Sequence, residues 1–270
     1  MNNTDKVIWM LWMQGEEGAP EVVKACISSW RIRNPDWQVT VLTEKNLKRY
    51  INIDKTNFRD VFAAFTNAQK SDVIRLLLLH KYGGIWADAT AYCALPLSQW
   101  IEAYTVTGFF AFDKPGRDRL MANWFLYADK GNYIIEKLLF AAARYWQNGT
   151  RTRFRFYTVD RVINFYPQLW FGNFLANVLK KVPYFWFHYL FENCCDSDWE
   201  FKEEWENTVK LPAKAAISPQ VIGLFKTLDN PNEFIDTLRT ASPVFKLTWK
   251  YDFNEEVEGR LINQFLKGRV

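Results

Sequence analysis

"TNAQKSDVIRLLLLHKYGGIWADAT", residues 66 to 90, carries a helix, its stop signal and a buried strand in one run. Thr66 and Gln69 form a T-x-x-Q capping box, which predicts a helix starting near Asn67. Apolar residues continue to Tyr82, and Gly83 ends the pattern. At 1.5 Å per residue such a helix is about 24 Å long. "IWAD" then reads as a short buried strand ending at Asp88. Asp72 and Arg75 interrupt the apolar pattern three positions apart, so they share one helix face and can pair with each other or with a ligand. In an open α/β sheet, ligands bind outside the carboxyl ends of the strands. Asp88 therefore stands where a functional carboxylate is expected.

The residues before this stretch supply the rest of the sheet. "VIWMLW" (7 to 12) is apolar throughout and reads as a buried strand, followed by the loop "MQGEEGAP". Pro20 suits a first helical turn, and "PEVVKACISSWRIRN" keeps helical spacing until "NPD" stops it. "WQVTVL" (37 to 42) is a second strand, and Thr43 is the expected N-cap of a short helix "EKNLKRYI". Strand, helix, strand, helix argues for a parallel α/β sheet of the nucleotide-binding kind.

Beyond residue 115 helical patterns dominate: "NYIIEKLLFAAARYW" (132 to 146), "VDRVINFYPQLWFGNFLANVLKKV" (159 to 182) and the apolar "PYFWFHYLFENCC". "SPVFKLTWK" (242 to 250) is strand-like, and the tail "EEVEGRLINQFLKG" has the look of an amphipathic helix. With no repeat or linker, the expectation is one domain, 1–270. Its nucleotide-binding half would be 1–115, and its acceptor-side, helical half 116–270.

Composition narrows the chemistry. An apolar share of 49% in 270 residues is ample for a core. No run approaches the roughly 18 to 20 apolar residues that span a bilayer, and "MNNTDKVIWM" lacks the layout of a secretion signal, so a cytoplasmic protein is expected. Cys26, Cys93, Cys194 and Cys195 have no metal-ligand spacing, and His80 and His188 are too few for a multi-histidine site, so any metal must use oxygen ligands. A net charge of +4 does not call for nucleic acid. The basic, aromatic stretch 144 to 161 reads as a solvated loop with a strand, or as a contact for an anionic partner such as a lipid-linked phosphate or a membrane surface.

The run S-D-x-x-R-x-x-x-L-x-x-x-G-G-I-W-x-D-x-T (71 to 90) resembles the signature of glycosyltransferase family 32 and its capsular polysaccharide synthesis branch. Residues 7 to 37, "NWFLYADKGNYIIEKLL" (123 to 139) and "SPVFKLTWK" are similar to further blocks of that branch, in order along nearly the whole chain. The resemblance implies a GT-A fold, a Rossmann-like mixed sheet flanked by helices with a helical elaboration in the second half. It also implies transfer of a hexose, with retention of configuration, from a nucleotide sugar, a UDP-hexose, to a hydroxyl of a surface or capsular polysaccharide precursor. The acceptor would be a glycan or lipid-linked oligosaccharide. The enzyme would sit in the cytoplasm at the inner face of the plasma membrane, with 182 to 191 and 144 to 155 as its membrane-side surfaces. A non-catalytic sugar-nucleotide- or glycan-binding protein is the alternative.

Residue by residue, the resemblance implies that Trp12 stacks on the donor base and that Asp72 and Arg75 hydrogen-bond the donor sugar and its surroundings. Asp88 matches the first aspartate of the D-x-D motif and is the expected catalytic, donor-binding and metal-binding carboxylate. Thr90 stands where the second aspartate is expected. That weakens the case for the implied Mg²⁺ or Mn²⁺ ion, since a hydroxyl brings no charge. Lys246, Thr248 and Lys250 alternate along a presumed strand and either face solvent on a sheet edge or contact the donor phosphates. Asn123 and Trp124 belong to a segment that in the family lines the acceptor side. Asp160, Glu192, Asp196 and Asp198 are carboxylates that an acceptor-activating base would need, and nothing in the sequence selects among them.

Overall fold

A computed structural model describes residues 6–153, 166, 168–172, 174–225 and 241–250. Strand β1 (Val7–Leu11) leads through helix α1 (Glu21–Arg33) to β2 (Gln38–Leu42), which pairs with β1 in parallel, Val7 opposite Gln38. Two single turns of helix, α2 (Leu47–Tyr50) and α3 (Arg59–Phe62), precede the long helix α4 (Asn67–Tyr82). Strand β3 (Gly84–Ala87) returns to the other side of β1, again parallel, with Trp9 opposite Trp86. After β4 (Ala91–Cys93) and the turn α5 (Ile101–Tyr104), the hairpin β5 (Phe109–Gly116) and β6 (Arg119–Ala128) completes the sheet. The strand order is β2-β1-β3-β6-β5, with β6 antiparallel to β3 and β5 antiparallel to β6. The sheet is thus mixed, its parallel half being the one that the alternation of strands and helices predicts.

Helix α4 spans the predicted residues because its signals are local. Thr66 and Gln69 make the reciprocal cap, and the Gly83 amide bonds Leu79 O at 2.9 Å with φ 69°. Gly84 is needed for a second reason: with φ 93°, a Cβ there would lie 2.6 Å from Val7 O, so only glycine lets β3 start flush against β1. Thr43, by contrast, does not cap a helix. Its hydroxyl accepts from the Asn46 amide at 3.3 Å while Asn46 Oδ1 accepts from the Thr43 amide at 2.8 Å, closing a turn, and α2 starts only after Asn46.

Side chains alternate along β1 between two cores. Val7 and Trp9 face α4 and the later helices α6 (Tyr133–Trp146) and α8 (Trp186–Ser197), whereas Ile8 and Met10 face α1. Between α6 and α8 lie β7 (Thr152–Arg153), α7 (Gln168–Phe171), a π-helical turn Phe174–Val178, and β8 (Lys181–Val182). Helices α9 (Trp199–Asn207) and α10 (Ala213–Phe225) follow. The second half is therefore mainly helical, but residue 115 is no structural boundary, because it lies near the tip of the β5–β6 hairpin.

The two segments expected to form a membrane-side surface differ in burial. In 182 to 191, Val182, Trp186, Phe187, Tyr189, Leu190 and Phe191 are buried, so most of this segment fills the core beside α6, and Tyr184 is exposed. In 144 to 155, Arg151 is buried, stacked on Tyr145 at 4.1 Å and bonded to Ala176 O at 2.8 Å, while Arg144, Gln147, Asn148, Thr150 and Thr152 are exposed and residues 154 and 155 lie outside the described ones. No helix among the described residues is long and apolar enough to cross a membrane. Asp160 and the tail read as an amphipathic helix lie outside the described residues.

Strand β9 (Val244–Lys246) is shorter than the sequence suggests. Its partner is β4, which offers only three residues, pairing Ala91 with Lys246 and Cys93 with Val244. Thr248 and Lys250 lie past the strand's end, so the three residues do not share one strand face. Lys246 and Thr248 are buried, and Lys250 is exposed.

Candidate functional site

Trp12 and Asp88 each follow the carboxyl end of a parallel strand, β1 and β3, which are neighbours in the sheet. The connection from β1 runs over one face through α1, and β3 is reached over the other through α4, which makes the crevice between them the switch point of the sheet. Asp88 is anchored by its backbone: its amide donates to Trp124 O at 2.8 Å and its carbonyl accepts from the Ala91 amide at 2.7 Å.

Four charged side chains meet there. Arg75 Nη1 donates to Asp72 Oδ1 at 2.5 Å, and Nη2 donates to Asp88 Oδ1 at 3.2 Å and to Ser71 Oγ at 3.1 Å. Lys246 Nζ donates to Asp88 Oδ2 at 2.8 Å and to Thr90 Oγ1 at 2.5 Å. Trp86 Nε1 donates to Asp88 Oδ1 at 2.9 Å, and Asn123 Nδ2 to Asp72 Oδ1 at 3.0 Å. Two carboxylates balance two cations, which is what burial of charge demands. The Arg75 guanidinium lies between the Trp86 ring at 5.1 Å and the Phe187 ring at 5.4 Å, where cation–π attraction holds it as well as its ion pairs.

The electrostatics differ between the two carboxylates. Burial pushes Asp72 up to about 6, opposed by Arg75 and reinforced by the nearby Asp88 charge. Burial acts on Asp88 too, but Lys246 and Arg75 outweigh it and hold its carboxyl below the usual range. His188, on the α8 wall, is buried and its charged form is opposed first by burial and then by Arg119 and Arg75, so it is held neutral. Arg75 Nε and Trp12 Nε1 are buried with no hydrogen-bond partner among the described residues.

The expected site residues separate accordingly. Asp72, Arg75, Asp88, Thr90, Lys246 and Asn123 converge through their side chains. Trp124 contributes only its carbonyl, because its ring is stacked on Phe112 at 4.9 Å within the core. Thr248 is buried two residues beyond Lys246, where its hydroxyl accepts from the Lys250 amide at 3.2 Å. Of the carboxylates named as bases, Asp198 caps α9 through the Phe201 amide at 3.1 Å and pairs with Lys137, a structural role. Asp196 is exposed. Glu192 is pushed up to about 7 by burial, with Asp196 and Asp118 adding repulsion. Ser71, Trp86 and Phe187 were not foreseen. Ser71 and Trp86 lie inside the motif itself, and their polar atoms were the available signal.

A separate open cleft of about 1080 Å³ begins immediately after Trp12. Gln14, Gly15, Thr43, Lys45, Arg33 and Tyr92 are among its walls, which rise from the carboxyl ends of β1 and β2 and from α1. Asp72, Arg75 and Asp88 do not line it. Strand β4 connects the two regions, since Tyr92 follows Thr90 by two residues.

The arrangement does not suit a divalent cation held by the protein. Both oxygens of Asp88 already accept, Oδ1 from two donors and Oδ2 from an ammonium, and the Thr90 hydroxyl accepts from the same ammonium. No three His, Cys, Asp or Glu side chains gather as metal ligands among the described residues. Hard cations are ordinarily held by several charged or carbonyl oxygens.

A charge-balanced polar cluster at the switch point of a mixed sheet defines an α/β protein whose polar side chains gather where ligands of such sheets bind. A family model described as capsular polysaccharide synthesis protein matches residues 1–170 and 160–265, and the chain belongs to that family. Among curated proteins it is similar to the O-glycosyltransferase braB of Annulohypoxylon truncatum, 29% identical over 170 residues, 56% of this chain and 40% of that protein. Inositol phosphoceramide mannosyltransferase 1 of Schizosaccharomyces pombe is 29% identical over 109 residues, 39% of this chain and 34% of that one. The initiation-specific alpha-1,6-mannosyltransferase of Candida albicans is 28% identical over 103 residues, 36% of this chain and 27% of its own. The chain spans less than half the length of these relatives. Among solved structures, PaToxG glycosyltransferase superposes with a TM-score of 0.42 at 17% identity, over 98% of this chain and 85% of that chain.

Proposed function

We propose that this protein is a glycosyltransferase that moves a hexose from a nucleotide sugar, a UDP-hexose, to a hydroxyl of a surface or capsular polysaccharide precursor, with retention at the anomeric carbon. The observation that carries the reading is the convergence of Asp72, Arg75, Asp88 and Lys246 at the sheet's switch point, in a chain whose relatives are named as glycosyltransferases. In this reading the base stacks on Trp12 and the nucleoside extends toward the cleft beside it. Asp72 and Arg75 hold the sugar hydroxyls, with Asn123 fixing Asp72. Lys246 faces the diphosphate. Asp88 orients Arg75 and Lys246 toward the donor.

The reaction breaks the bond from the anomeric carbon to the diphosphate oxygen, whose electron pair leaves with the nucleoside diphosphate. The acceptor oxygen bonds the same carbon from the same face. Its proton passes to an oxygen of the departing phosphate, so no protein base is required. The acceptor is a glycan or a lipid-linked oligosaccharide, and the protein works in the cytoplasm at the inner face of the membrane.

The test is a screen of nucleotide sugars for thermal stabilisation, followed by donor hydrolysis and transfer with wild type and Asp88→Ala. A donor at 100 times its Kd adds about 2.7 kcal/mol of stability. Stabilisation by one donor class and loss of turnover in the variant support the reading. Equal turnover in the two proteins overturns the role of Asp88. Donor binding without turnover on any acceptor would instead make this a sugar-nucleotide-binding protein.

A further inference from the structure

We infer that the Lys246 ammonium occupies the place that a divalent cation would take in this site, so that the diphosphate is bound, and its charge taken up on departure, without a metal ion. The inference rests on the proposed function and adds to it the identity of the cation.

The geometry is specific. Asp88 and Thr90, the two ends of the D-A-T triplet, point their oxygens at one atom, Lys246 Nζ, at 2.8 and 2.5 Å. An ammonium has three donors and no acceptor. Two are spent on the triplet, and the third remains for a phosphate oxygen. The other Asp88 oxygen is filled by Trp86 and Arg75, so a metal could reach Asp88 only at Oδ2, beside the Lys246 ammonium.

Charge gives the same answer. Asp72 and Asp88 against Arg75 and Lys246 sum to zero. A dication placed between Asp88 and Thr90 would meet the Lys246 charge at contact distance, with a hydroxyl where a second carboxylate would be needed to offset it. With threonine at 90 a monovalent cation balances the site, and lysine supplies one that cannot diffuse away.

The fold also invests in this lysine. Lys246 is buried, which is costly for an ammonium unless it is paired. It is delivered by β9, whose pairing of Ala91 with Lys246 and whose bond from the Leu247 amide to Thr90 O at 2.8 Å hold it across the triplet. During transfer Lys246 keeps its proton. The electron pair of the breaking bond goes to the phosphate oxygen it contacts, and the acceptor proton goes to the phosphate.

The experiment uses the full chain, freed of metal with chelator and titrated calorimetrically with UDP, and in parallel with GDP, in chelator and then in excess magnesium or manganese. The expected result is nucleoside diphosphate binding in chelator that the metals leave essentially unchanged. Lys246→Met should weaken binding roughly 30- to 100-fold in either condition, and Lys246→Arg should recover part of it. Because Lys246→Met leaves Asp88 underpaired and could unfold the site, Asp88→Asn/Lys246→Met removes both charges together. It should fold, as read by circular dichroism, and still bind weakly. Binding by wild type that vanishes in chelator and returns with metal overturns this inference and leaves the proposed function standing. Equal binding by wild type and Lys246→Met also overturns it. No nucleoside diphosphate binding under any condition overturns both.

Discussion

Lys246 Nζ lies 2.8 Å from Asp88 Oδ2 although 158 residues separate them in the chain. A contact of such sequence separation closes a very long loop, and it is made by two side chains that would each be better hydrated apart. Its first consequence concerns stability. Asp88→Asn leaves the buried Lys246 ammonium without a carboxylate, and Arg75 with Asp72 as its one remaining carboxylate. Urea denaturation should show a loss of about 3 to 5 kcal/mol, as when one member of a buried pair is removed. A loss under 1 kcal/mol would mean that the cluster is hydrated and the pairing of little weight.

Arg75 is the hub, and its replacement tests geometry apart from charge. Arg75→Lys keeps the charge but cannot reach Asp72 and Asp88 in the forked manner that the guanidinium does. The expected result is a stable protein with donor affinity lowered roughly ten-fold or more, whereas Arg75→Met loses stability as well because the buried Asp72 then has no cation between it and the half-buried Asp88. Equal donor affinity in Arg75→Lys and wild type would reduce Arg75 to a simple counter-charge.

Asp72 predicts a pH dependence with a definite sign. Its carboxyl is raised from 3.8 to about 6 by burial, so the folded state binds its proton more tightly than the unfolded chain. The stability from this group is fully present below about pH 4 and is lost as pH rises through about 6, amounting to roughly 3 kcal/mol at about 1.36 kcal/mol per unit. Asp72→Asn lacks that titration. Compared by denaturation across this window, the variant should gain on wild type as pH rises, even though it binds donor more weakly. A constant difference across the window would show that Asp72 does not titrate there.

The sequence makes some of this visible and hides the rest for physical reasons. Helix α4 and the position of Asp88 are legible because a capping box, a glycine stop and a short apolar strand are local codes. The place of β6 beside β3 and the place of Lys246 depend on which strand pairs with which, and pairing across long separations leaves no local mark. The alternation in "SPVFKLTWK" suggests a longer strand than β9, since pattern reports what a segment could do and the length of β4 decides what it does. Trp86 passes as a core residue because its ring is buried, while its Nε1 is a site donor. An amphipathic side chain of this kind serves both roles at once.

That double role can be separated by experiment. Trp86→Phe keeps a ring beneath the Arg75 guanidinium and deletes the donor to Asp88. A hydrogen bond to a charged group contributes about 1.5 to 3 kcal/mol, and the loss should appear in denaturation and as a raised Asp88 pKa in carboxylate titration. If Trp86→Phe is as stable as wild type, packing alone accounts for the tryptophan.

Trp12 closes the donor-facing side of the proposal. It follows β1 directly and is only partly buried, whereas Trp124, Trp146 and Trp186, whose Nε1 atoms also lack a partner among the described residues, lie in the core. Stacking of a base on an aromatic ring contributes about 1 to 3 kcal/mol. Trp12→Phe should therefore retain most of the affinity for UDP and Trp12→Ala should lose roughly 5- to 100-fold by calorimetry. Affinity for inorganic pyrophosphate, which has no base, should be unchanged in both. A parallel fall in pyrophosphate affinity would mean that Trp12 supports the fold of the β1 loop rather than the nucleoside.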